Sequence, residues 1–156
     1  YTYGEEHQRI AWCLNNIAVI LYEEKNYEQS LEYYLRDLTM SEKLLPANHP
    51  DLAMSHMNIG IIHRCLGHFD MALEHYERSL QMKLESLPAF HHEIANAYNS
   101  IGMVYQDKAD YEQALSYFEK SLAIYSMTLP PDHPAINTIK NNIESTKSKA
   151  TQECMN

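Results

Sequence analysis

The chain is short of positive charge, of glycine and proline, of cysteine and of long apolar runs. Its 12 Lys and Arg face 21 Asp and Glu, a formal net charge of −9. Phosphate backbones are held by clustered Lys and Arg, so this balance argues against sequence-independent nucleic-acid binding. Four Gly and six Pro exclude a collagen-like or Pro/Gly-rich fibrous chain. Three cysteines, Cys13, Cys65 and Cys154, make an odd, sparse set without CxxC spacing. That excludes a disulfide scaffold and points to a reducing compartment, so a cytoplasmic location is expected. No run of about 18 apolar residues exists to cross a membrane. A signal-peptide pattern is absent, and the chain starts at Tyr1 rather than Met, which reads as a piece trimmed from a longer protein. Gly-rich phosphate loops, a GxSxG elbow and an HExxH helix are all missing. Nothing ties the Ser, His and Asp residues into a nucleophile site, so neither an enzyme nor a cofactor is expected. What is present is a globular composition, 45% hydrophobic and 21% charged.

It is also a repeat, with a constant period of about 42 residues. Asn15-Asn16-Ile17-Ala18, Met57-Asn58-Ile59-Gly60, Asn99-Ser100-Ile101-Gly102 and Asn141-Asn142-Ile143-Glu144 follow one another at that interval. The same offset links Tyr27, Phe69 and Tyr111, then Leu38, Leu80 and Leu122, then Pro46, Pro88 and Pro130. It links His49, His91 and His133 too, and backwards it reaches His7. Each repeat holds two amphipathic helices. In the second, Leu52, His56, Ile59, Gly60 and His63 share one helix face. After Gly67-His68, the residues Phe69, Ala72, Leu73, Tyr76, Leu80 and Leu84 mark another, ending before Pro88. In the first repeat Leu14, Ile17, Ala18 and Leu21 form the equivalent stripe. Small residues at Ala18, Gly60, Gly102, Ala72 and Ala114 let paired helices approach closely. The fourth repeat stops after one helix, where Glu144, Lys147 and Lys149 replace packing residues, as a polar-backed terminal cap requires.

Small residues within the helices, an aromatic after the turn and a Leu/Tyr ladder resemble the tetratricopeptide repeat. The long period and the loops Leu45-Pro46-Ala47-Asn48-His49-Pro50 and Leu129-Pro130-Pro131-Asp132-His133-Pro134 resemble the kinesin light chain type. The resemblance implies an all-α fold, a right-handed superhelix (an α-solenoid) of three helical hairpins plus a C-terminal capping helix. The expected organisation is one repeat domain over residues 1–150, followed by a tail over 151–156. Its repeats run about 7–48, 49–90 and 91–132, with the cap at 133–149. Three positions depart from the pattern: Lys25 and Ala109 stand where a turn glycine such as Gly67 is usual, and Ser30 replaces the Ala72 and Ala114 type.

Nine histidines invite a metal reading. His49, His91 and His133 come one per repeat, so they are spaced by roughly a helix diameter, about 10 Å. They cannot share a zinc ion, whose ligands stand about 2 Å from the metal. Helix capping explains them better, with Pro50 and Pro134 at the first helical position. His49-Pro50-Asp51 matches the J-domain tripeptide, but it is the repeat junction. His63, Cys65 and His68 are closer together, yet His63 holds the packing position of Leu21 and Tyr105. No metal site is expected.

In the resembled family the first helix of each hairpin lines a concave groove. The resemblance assigns to it Trp12, Asn15, Asn16 and Val19, then Met54, Met57, Asn58, Ile61 and Arg64. It adds Asn96, Asn99, Ser100 and Met103, and Asn142 on the capping helix. Asn16, Asn58 and Asn142 form an amide row, interrupted by Ser100, that can donate to and accept from a peptide backbone. Trp12 and the methionines suit adaptable apolar contact. Lys and Arg are absent from the positions that would clamp a C-terminal carboxylate of Hsp70 or Hsp90, which argues against that partner class. The expected function is a non-catalytic protein–protein interaction module binding a peptide or helical segment in the groove. Two other readings stand beside it. One is a structural or regulatory array that packs on another domain of its own chain or self-associates, through Tyr33, His75 and Tyr117. The other is the cargo-adaptor part of a microtubule motor.

Overall fold

The computed structural model describes residues 3–155, with side chains for 9–153 and 155. The side chains of His7 and Cys154 lie outside the described residues. Seven helices follow in order: α1 (Tyr3–Glu23), α2 (Tyr27–Leu44), α3 (Pro50–Cys65), α4 (Phe69–Ser86), α5 (His92–Asp107), α6 (Tyr111–Thr128) and α7 (Pro134–Cys154). No strand occurs among the described residues. The chain divides into two compact units, α1–α4 and α5–α7.

In the first unit α1 pairs with α2, α3 pairs with α4, and α2 packs on α3. Its core joins Ala18, Tyr34, Leu38, Leu52, Ala53, Ile59, Ile62 and Met82. Burial of such side chains is the main stabilising term, about 1.5–3 kcal/mol for each large one. In the second unit α5 pairs with α6, and α7 closes α6 by burying Ile136, Ile139 and Thr146. Gln106 donates to Thr146 Oγ1 at 2.6 Å, a polar seam between α5 and α7.

The repeated histidines start helices. The Nδ1 atoms of His49, His91 and His133 each accept the backbone N–H two residues on, at 3.2 Å. This satisfies one of the orphan donors of each helix N-terminus. Pro50 and Pro134 occupy the first turn behind these caps.

Each hairpin turn is a Schellman motif. His68 N–H donates to His63 O at 2.8 Å and Gly67 N–H to Arg64 O at 3.0 Å. Asn26 bonds Leu21 O and Asp110 bonds Tyr105 O in the same way. The motif needs one left-handed residue, which is Gly67 at φ 76° but Lys25 and Ala109 at φ 60° in the other two turns. The sequence departures at those positions are therefore real exceptions, each carrying left-handed strain.

The small helix residues act as expected. A Cβ on Gly60 would lie 2.6 Å from the Tyr76 ring, and one on Gly102 2.8 Å from the Phe118 ring. Ser30 is explained by its hydroxyl, which donates to Ala18 O at 2.7 Å and so leaves no unpaired polar atom at this place in the core.

Three expectations need correction. The segment after residue 150 is helical as far as Cys154. It contains no Gly or Pro to stop α7, and Tyr111 OH donates to Glu153 Oε1 at 3.2 Å. Ile17 and Leu84, assigned to packing stripes, are 40% and 45% exposed. The stripe is continuous in sequence, but only the part facing another helix is covered. Tyr33, His75 and Tyr117 are not free docking residues either. All three are half-buried and occupied, Tyr33 by Arg36, His75 by His56, and Tyr117 by Lys120 at 4.5 Å.

Candidate functional site

None of the assigned groove residues is buried. Trp12, Val19, Met54 and Asn96 are exposed; Asn15, Asn16, Met57, Asn58, Ile61, Arg64, Asn99, Ser100, Met103 and Asn142 are half-buried. The positions on α1 and α3 belong to the first unit, those on α5 and α7 to the second. In the second unit the amides partly satisfy one another. Asn142 Nδ2 donates to Asn99 Oδ1 at 3.0 Å, and Asn96 Oδ1 accepts from Tyr125 OH. These groups are less available to a ligand than the sequence row implies.

In the first unit the structure draws Trp12, Asn15 and Met54 around a cleft of about 680 Å3. Trp12 is 69% exposed and Met54 56% exposed. Among the exposed apolar side chains, an indole and a thioether standing open at one mouth are of the kind that marks contact sites. Leu44 and Leu45, at the end of α2, form the apolar back wall.

The cleft also has polar residues that sequence reasoning missed. Asp37 is buried on its wall, and its carboxylate accepts from Ser55 Oγ at 3.1 Å. Burial pushes the Asp37 carboxyl above the usual carboxylate range, while the hydroxyls of Ser55 and Ser41 pull it part of the way back. Arg9 and Asp51 stand at the rim. A signal for Asp37 existed in the sequence. Its equivalents one and two periods on are Ser79 and Ser121, both buried. An acid replacing a core serine once in three repeats is the anomaly. Chemically the cleft offers apolar surface from Trp12, Met54 and Leu44 beside one buried carboxylate, Asp37.

A second cleft of about 460 Å3 lies between α1 and α2, bounded by Leu14, Leu35 and Met40.

The histidines give two further arrangements. His91, His92 and Glu93 bring ligand atoms within 4.8 Å of one another at the start of α5. His91 Nδ1 is already engaged in the cap of that helix. On α3 and α4, His56 Nδ1 and His75 Nδ1 meet at 2.9 Å, and the ring of His63 stacks on His75 at 5.6 Å. Burial, then the neighbouring His75 and Arg78, push His56 down to about 4. Burial also lowers His63 and His75.

Comparison with known proteins agrees with this architecture. Residues 9–85 match one family model for the tetratricopeptide repeat and residues 94–135 match another. A kinesin-light-chain-like protein of Podosopora anserina with nearly identical TPR-like repeats superposes with a TM-score of 0.80 at 17% identity, over 90% of this chain and 68% of that one. BtubC (BKLC) from P. vanneervenii gives 0.76 at 18% identity, over 94% and 65%. The Sgt2 TPR domain from Aspergillus fumigatus gives 0.65 at 20%, over 94% and 82%. At these identities the likeness is one of fold. No curated protein matches the chain.

Proposed function

Because the chain belongs to the tetratricopeptide-repeat family, we propose that it is a non-catalytic protein–protein interaction module, and that the cleft between α1, α2 and α3 holds a peptide or helical segment of its partner. The observation that carries this reading is the open apolar mouth formed by Trp12 and Met54 above a buried carboxylate. Asn15, Asn16 and Asn58 flank it on α1 and α3, where their amides supply hydrogen bonds to an extended main chain. A partner side chain that fills the cleft removes the indole from water, and aromatic anchors of this kind dominate binding energies.

The second cleft, beside Leu35, favours a second reading, in which the first hairpin docks on another domain of its own chain through that face.

One titration separates the two. Trp12 is the single Trp of the chain, so its fluorescence reports the cleft directly. A partner captured from a cell extract and titrated against the protein is expected to shift that emission to the blue. Trp12→Ala is expected to abolish binding. Asn58→Ala removes hydrogen bonds worth on the order of 0.5–1.5 kcal/mol, a roughly threefold to tenfold loss of affinity. Unchanged binding by both variants, with loss in Leu35→Asp, would overturn the Trp12 cleft in favour of the cleft beside Leu35.

A further inference from the structure

The Schellman turn between α3 and α4 brings together two histidines that no part of the peptide-binding reading uses. In this motif the third residue from the helix end and the second residue past the helix cap are joined by a backbone bond, and their side chains normally make an apolar contact. Here those residues are His63 and His68. Their Nδ1 atoms face each other at 3.4 Å. That is longer than the usual hydrogen-bond separation of about 2.9–3.0 Å. It equals the edge of a tetrahedral site, which for metal–nitrogen distances of about 2.0–2.1 Å is about 3.3–3.4 Å. The neighbouring His56–His75 pair, at 2.9 Å, has closed to an ordinary hydrogen bond instead.

The fold does not require imidazoles at this point. The equivalent pairs are Leu21 with Asn26 in the first hairpin and Tyr105 with Asp110 in the third, on the same backbone bonds. His63 is buried and fixed by its stack on His75, whereas His68 is exposed, so one ligand is anchored and the other gives access from solvent.

We propose that His63 and His68 chelate a divalent transition-metal ion, such as Zn2+, through their Nδ1 atoms, with the ion's remaining positions open to water. Two imidazoles held by one turn form a chelate whose backbone is set before the ion arrives. Nitrogen ligands of this kind suit zinc, copper and nickel and not calcium or magnesium. The ion clips the end of α3 to the start of α4, so it stabilises the second hairpin by mass action.

The test uses the whole chain with Zn2+ in calorimetry and Co2+ in absorption spectroscopy. Wild type is expected to take up one equivalent of Zn2+, and its Tm to rise with Zn2+ and return with chelator. His68→Asn places the first hairpin's own residue at an exposed position, so folding is retained, as circular dichroism would verify. It is expected to weaken Zn2+ binding at least tenfold and to remove the Tm rise. His63→Leu is expected to do the same, and His91→Ala to change neither. Wild-type behaviour in His68→Asn, or loss of the effect in His91→Ala, would overturn the assignment and place the ion at the start of α5. The Co2+ complex is expected to lack a thiolate charge-transfer band. Such a band, lost in Cys65→Ser, would overturn the two-imidazole ligand set.

Discussion

The hairpins α3–α4 and α5–α6 have the same backbone and different chemistry. His56, His63 and His75 in one stand where Tyr98, Tyr105 and Tyr117 stand in the other, each exactly one period on. The rings stack in the same order. His63 lies on His75 at 5.6 Å, and Tyr105 lies on Tyr117 at 5.5 Å. The tyrosine stack is finished by Lys120, 4.5 Å from the Tyr117 ring, a cation on an aromatic face. The histidine stack differs in that its own members can become cations in acid. The first hairpin has Leu14, Leu21 and Tyr33 at the same three places, so the fold accepts different side chains there and leaves their titration free to vary. The stacked rings of one hairpin can take up protons in mild acid and those of the other cannot.

Acid should give the largest contrast. His56 protonates near 6.5 in the unfolded chain but only near 4 when folded. The unfolded state then binds more protons between those values, so stability is full above about pH 6.5 and is lost progressively as the pH drops to about 4. The difference corresponds to about 3 kcal/mol once both states are protonated. Urea midpoints measured from pH 7 to 4 should show this loss in wild type. His56→Leu, which installs the residue of the first hairpin at Leu14, should flatten the profile. A profile equally steep in His56→Leu would mean that other groups carry the acid sensitivity.

The close helix approaches should differ less. Gly60→Ala and Gly102→Ala both force an aromatic ring to move, and overpacking of this kind costs about 1–3 kcal/mol. Gly60 has the tighter approach, so it should be the costlier of the two. The first hairpin carries Ala18 at the equivalent place, which shows that a shifted ring can accommodate the methyl. Equal melting temperatures for both variants and wild type would mean that the rings move at no cost.

The smallest effects belong to the turns. Ala109→Gly should stabilise by up to about 1 kcal/mol, because glycine adopts the left-handed region without strain. Gly67→Ala should destabilise by a similar amount. Thermal melts of this reciprocal pair would equalise the two turns, and a Gly67→Ala variant as stable as wild type would show that φ at this place is relaxed.

Much of the architecture was legible in the sequence because one period repeats across helix, turn and loop at once. Pro50, Pro134 and the capping histidines mark the helix starts, and Gly67 marks the turn. Helix phase also put Trp12 and Met54 on an open face. What it could not reveal was which open residues meet. Asp37 sits on α2, a different helix from Trp12 on α1 and Met54 on α3, so only folding joins it to the cleft. The amide row looked uniform as letters, yet Asn142 is bound to Asn99, since phase alone does not say that α7 leans on α5. Residues 151–154, expected as a tail, continue α7, and the contact from Tyr111 to Glu153 depends on α6 and α7 packing side by side, which one segment read alone does not show.

The reach of the side-chain bonds has a kinetic consequence. Ser30 to Ala18, Ser79 to Ala53, Gln106 to Thr146 and Asn142 to Asn99 span 12, 26, 40 and 43 residues. None of these bonds reaches much beyond a single repeat. The chain can assemble each hairpin from its own local segment and need not close long loops first, which favours rapid folding with the search confined to short stretches. The same locality makes the gene tolerant of change by whole periods. Adding or deleting one complete repeat in register would leave the bonds within each remaining hairpin, such as Ser30 to Ala18 and Ser79 to Ala53, between the partners they already have.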